Sequence, residues 1–105
     1  MSLSTHILDT AQGRPAAGVA VRLDRYDGTT WQNTAEGVTD DDGRLKDLPA
    51  DKGGTYRLRF GIGPYFHGNT FFPEIQVIFE VANPADHYHV PLLVSPYSYS
   101  TYRGS

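Results

Sequence analysis

The chain has no cysteine, so neither a disulfide nor thiol chemistry enters the account. No apolar run approaches the ~20 residues of a membrane span. The first residues, Met1-Ser2-Leu3-Ser4-Thr5, show neither the basic region nor the apolar segment of a secretory signal. A cytoplasmic protein with no membrane partner is expected. Nine Lys and Arg stand against twelve Asp and Glu, a net charge of −3, and the cations form no cluster or stripe. Nucleic acid is therefore not an expected partner. A Gly-x-Ser-x-Gly elbow is also missing, which argues against a Ser-His-Asp nucleophile of that kind. Helical periodicity is nearly absent over any useful length.

What the chain does have is alternation and punctuation. Its 105 residues suffice for one domain, 1–105, and are too few for two. With 39% apolar and 20% charged residues it reads as globular, not disordered. Val19, Val21 and Leu23 share one parity; so do Tyr56, Leu58 and Phe60, then Ile75, Val77, Phe79 and Val81, then Val90, Leu92 and Val94. Gln12-Gly13-Arg14-Pro15, Asp27-Gly28, Asp40-Asp41-Asp42-Gly43, Asp51-Lys52-Gly53-Gly54 and Asn83-Pro84 separate these runs as turns. The pattern predicts strands near 4–10, 19–27, 30–37, 43–46, 55–61, 73–81, 87–94 and 97–103. Eight short strands at this spacing indicate an all-β fold, an antiparallel sandwich of two sheets. One helical turn is expected in Gly63-Pro64-Tyr65-Phe66-His67.

Successive side chains of a strand point to opposite faces. If Val90, Leu92 and Val94 fill the core, then His87, His89, Pro91 and Leu93 point away from it. Near the start of the chain, Ile7 and Asp9 share one parity, and His6 and Leu8 the other. Two separate strands thus set a histidine beside a leucine on an outer face. Such a face, with leucine and proline in it, suits a channel or interface better than open water. The run Pro96-Tyr97-Ser98-Tyr99-Ser100-Thr101-Tyr102 reads as a final strand. It would hold Arg103, Gly104 and Ser105 in a fixed place.

The residues able to carry chemistry are His6, Arg44, His89, Tyr102, Arg103 and Ser105. Histidine titrates near neutral pH and acts as a general base. Arginine stays charged and can hold an oxyanion. Together they suit metal-free hydrolysis of an activated amide or strained ring. Each also has a plainer role open to it. A strand histidine is commonly an interface residue, Arg44 could pair with Asp41 or Asp42, Tyr102 could cap a sheet edge, and Ser105 could be a loose end. His87-Tyr88-His89 places two imidazoles on one face, a chelating arrangement to which His6 could add a third ligand. No carboxylate has an evident position beside the pair, so no metal is expected.

Three segments carry a resemblance. They are Leu3-Ser4-Thr5-His6-Ile7-Leu8-Asp9-Thr10 with Gly13-Arg14-Pro15-Ala16; Thr39-Asp40-Asp41-Asp42-Gly43-Arg44-Leu45; and His87 through Ser105, ending Tyr102-Arg103-Gly104-Ser105. The chain resembles the transthyretin-like family, in its 5-hydroxyisourate hydrolase branch, over essentially its full length. Hormone-carrying transthyretins look similar through Ser95-Pro96-Tyr97-Ser98-Tyr99-Ser100 but lack the two histidines and the last four residues. The resemblance implies an eight-stranded sandwich forming a homotetramer, a pair of dimers with sites in a central channel at the dimer–dimer interface. It implies catalytic roles for His6, Arg44, His89 and Ser105, and substrate contacts from Leu8, Pro91, Tyr102, Arg103 and Gly104. The implied reaction, part of urate degradation and free of any cofactor, opens the ring of 5-hydroxyisourate to 2-oxo-4-hydroxy-4-carboxy-5-ureidoimidazoline. The stretch 61–70 is short for the helix-bearing loop of that family. The alternatives are a small-ligand carrier without catalysis and a structural or adhesion domain of similar fold. Neither needs a histidine pair or the Arg-Gly-Ser ending.

Overall fold

The computed structural model describes residues 2–105. Nine strands and one helical turn follow in order: β1 (Ser2–Asp9), β2 (Arg14–Pro15), β3 (Ala20–Tyr26), β4 (Trp31–Val38), β5 (Arg44–Pro49), β6 (Gly54–Gly61), α1 (Ile62–Tyr65), β7 (Glu74–Val81), β8 (Tyr88–Ser95) and β9 (Ser98–Thr101). They form two sheets. One runs β2-β1-β8-β9, with β5 also paired to β1; the other runs β4-β3-β6-β7. The sandwich is as the sequence pattern predicts, with two differences. The short β2 adds a ninth strand, and β1 and β8 run parallel in an otherwise antiparallel set. Alternation fixes which face a side chain takes, but it carries no sign of strand direction.

The core lies between the sheets. Leu3 and Ile7 from β1 and Val90, Leu92 and Val94 from β8 meet Val21, Leu23, Leu58, Phe60 and Ile75 from the other sheet, all buried. Buried Thr5 satisfies its hydroxyl by donating to the Val90 carbonyl at 2.7 Å. Asp9, also buried, accepts from the Ala11 and Gln12 amides through Oδ1 and from the Tyr65 hydroxyl through Oδ2. That contact ties the helical turn to the end of β1.

The first sheet's outer face is set by register. Ser4, His6 and Leu8 stand opposite His89, Pro91 and Leu93 in turn, and His6 also faces Arg44 on β5. Arg44 is placed by the turn before it. There Asp40 Oδ1 accepts from the Asp42 and Arg44 amides, and Gly43 takes φ +73°. A Cβ at Gly43 would lie 2.5 Å from the Ile7 carbonyl oxygen, so only glycine fits between β1 and β5.

Beyond the Thr5–Leu45 pair the register slips. Leu3 pairs with Leu48, so Lys46 and Asp47 together face the single residue Ser4. This is a β-bulge, and it bends the bulged strand. Asp47 adopts φ +59°, a conformation Asp tolerates better than most residues.

Candidate active site

The bulge and the register leave a cleft of about 270 Å³ on the outer face, lined by Ser4, Thr5, Arg44, Lys46, Asp47, His87, His89 and Ser105. Four of the residues picked out from sequence, Arg44, His89, Ser105 and neighbouring His6, are thus drawn from β1, β5, β8 and the last residue. Ser4 organises the histidines. Its Oγ lies 2.8 Å from His89 Nδ1 and 3.2 Å from His87 Nε2. Burial pushes the His89 imidazole below the usual histidine range. The charge of Arg44 and the neighbouring His6 and His87 push it the same way, while the Ser4 main chain, as hydrogen-bond acceptor, opposes them. His89 is thereby held neutral near pH 7, the state a general base requires.

His6 sits one cross-strand step along, between Arg44 and Pro91. Its Nε2 is buried without a hydrogen-bond partner among the described residues. Leaving such a group unpaired is unfavourable by about 1–3 kcal/mol. Asp40, not Asp41 or Asp42, is the acid that touches Arg44, and it does so through the Arg44 amide.

The expected substrate contacts are spread more widely. Leu8 and Pro91 lie beyond His6 on the same outer face, half-buried and buried respectively. Gly104 bridges to His89, its amide donating to the His89 carbonyl at 2.8 Å. Tyr102 is 58% exposed and stands outside the cleft. Arg103 also lies outside it, its guanidinium 4.7 Å from the centre of the Tyr88 ring. The cause is parity: next to Gly104, which pairs with His89, Arg103 takes the opposite face, on the side of Tyr88, and remains exposed there.

Ser4, Lys46 and Asp47 line the cleft although the sequence reading did not single them out. Ser4 shares the parity of His6, a signal already present in the alternation. Nothing local in the sequence marks the bulge that brings Lys46 and Asp47 in. Among the described residues no three His, Asp or Glu side chains converge as a metal site, and His87 and His89 both engage Ser4 instead. Among them, too, no helix is long and apolar enough to cross a membrane.

The site can be set beside known proteins. A 5-hydroxyisourate hydrolase of Salmonella typhimurium is 50% identical over 98% of this chain and 80% of its own length. The solved 5-hydroxyisourate hydrolase of Klebsiella pneumoniae superposes with a TM-score of 0.85 at 38% identity, each chain fully covered. Sea bream transthyretin, solved in complex with thyroxine, superposes at 0.87 with 32% identity, over 97% of this chain and 93% of its own. Residues 3–104 match the HIUase/Transthyretin family, and the chain belongs to that family.

Proposed function

We propose that the chain hydrolyses 5-hydroxyisourate to 2-oxo-4-hydroxy-4-carboxy-5-ureidoimidazoline in urate degradation. The observation that carries this reading is the meeting of His89, Arg44 and Ser105 in one cleft with His6 beside them. The similarity to hydrolases of that name points the same way.

In this reading His89, neutral and oriented by Ser4, takes a proton from a water held between it and His6. The water oxygen bonds to the ring carbonyl carbon, and Arg44 steadies the oxyanion that forms. As the ring C–N bond breaks, the imidazolium returns the proton to the leaving nitrogen, and the new carboxyl group remains on the product. General-base assistance typically supplies ~10²–10⁴-fold in rate and an oxyanion donor roughly 10²–10³-fold. No cofactor is invoked.

The assembly proposed is a homotetramer in which two such outer faces meet. Leu8, Pro91 and Tyr102 would then wall a shared pocket that Arg103 and Gly104 border. The mixed face of histidine, leucine and proline favours burial of this kind. A carrier would instead call for an apolar lining, whereas this cleft is bordered by Arg44, Lys46, Asp47 and two histidines.

The test is to generate 5-hydroxyisourate in place with urate oxidase and follow its ultraviolet decay. A decay rate that rises in proportion to added protein is expected. A rate unchanged by the protein would remove the reading and leave the carrier.

A further inference from the structure

Three residues stand in a row across the outer sheet: Ser4 on β1, His89 on β8 and Gly104 after β9. Ser4 and Gly104 stand at opposite edges of the His89 imidazole. Ser4 Oγ is 2.8 Å from Nδ1. On the other edge, a Cβ at Gly104 would lie 2.5 Å from Cδ2 and 3.2 Å from Cγ of the same ring. No real Cβ contact is that short, so glycine at 104 is what lets the ring occupy its place. Ser4 is itself buried, and its hydroxyl has a second neighbour, His87 Nε2 at 3.2 Å.

A serine hydroxyl has one hydrogen to give and lone pairs to receive with. Between two imidazole nitrogens it can therefore donate to one and accept from the other. We propose that Ser4 is a positioning residue that accepts the His89 Nδ1–H and donates its own hydrogen to His87 Nε2, so that the His89 lone pair stays on Nε2. Which ring nitrogen carries the proton is set by the hydrogen bond the other makes. Gly104 completes the seat by leaving the Cδ2 edge free. This rests on the hydrolase reading, in which Nε2 is the atom that takes the proton from water.

The test reads the tautomer directly, from the imidazole nitrogen-15 shifts of His89 in the substrate-free protein, and separately reads kcat and KM. The charged and titratable neighbours of His89 are His6 on β1, Arg44, Lys46 and Asp47 on β5, His87 just before β8, and Arg103 beyond β9. None of them is altered in Ser4→Ala or Ser4→Thr. In the parent the shifts should show Nδ1 protonated and Nε2 free. Ser4→Ala should mix the tautomers and lower kcat about 10-fold, a fraction of the ~10²–10⁴ that a general base supplies, with KM within about twofold. Ser4→Thr, which keeps a hydroxyl, should restore most of both. Gly104→Ala should also lower kcat, by displacing the ring.

Parent-like nitrogen shifts and kcat in a folded Ser4→Ala would overturn the proposal. Should that variant not fold, the parent spectrum decides, and shifts that show Nε2 protonated and Nδ1 free would overturn it equally. The nitrogen spectrum needs no substrate. A parent that shows the tautomer but turns nothing over would therefore sink the hydrolase reading alone.

Discussion

His89 owes its properties to its neighbours. Partial burial, Arg44 and two other histidines all disfavour its charged form. The folded value therefore lies below the ~6.5 of a free imidazole. A base that must be neutral fails as pH falls through the folded value, so the acid limb of kcat/KM should lie below pH ~6.5. A limb above that value would mean that another group titrates in the rate law. The same shift bears on stability. Between its two values the unfolded chain binds the proton that the folded chain refuses, so the His89 contribution is present above pH ~6.5 and is lost as pH falls through the folded value. Arg44 has a different role, and Arg44→Ala should lower kcat by roughly 10²-fold if it steadies the oxyanion. A loss confined to KM would show that Arg44 only binds the ring.

At the scale of strands, the second sheet depends on one buried acid. Asp24 on β3 meets Arg57 at 2.9 Å and Arg59 at 2.7 Å from β6, and Asn33 from β4 at 3.2 Å. Burial tends to raise its carboxyl, but hydrogen bonds from Arg59, Asn33 and Arg57 together outweigh it and hold the group below the usual carboxylate range. Asp24→Asn would leave two guanidinium groups without their anion. Both are partly open to water, so the expected loss is about 2 kcal/mol, short of the ~3–5 for a fully buried pair. A denaturant midpoint equal to the parent's would contradict this. Activity at saturating substrate should persist, since these residues lie on the sheet away from the cleft.

The strands were legible in the sequence because alternation names the faces, and His6 with Leu8 and His89 with Leu93 fell where the register puts them. β2 was not legible, because two residues carry no period. The parallel β1–β8 pair was hidden for the reason given above. Within the cleft, Arg44, His89 and Ser105 were readable as residue types, and Ser4 was readable by parity but looked ordinary. Lys46 and Asp47 enter through a bulge, which depends on how two strands meet and not on either alone. Arg103 faces Tyr88 because of the same alternation that places Gly104 at His89.

As a whole, the molecule presents one sheet face that carries both the cleft and an apolar margin of Leu8, Pro91 and Leu93. If that face joins copies of the chain, Leu93→Glu should give smaller particles than the parent in sedimentation, with strand content kept and activity lost. Particles of parental size would place the contact elsewhere. The central claim is that the imidazole held by Ser4 performs the hydrolysis. Turnover of freshly generated 5-hydroxyisourate should be compared between the parent and His89→Asn, which keeps the size and polarity of the site. The account predicts rapid decay with the parent and, for a folded His89→Asn, a kcat lower by ~10²-fold or more; equal rates for the two proteins would contradict it.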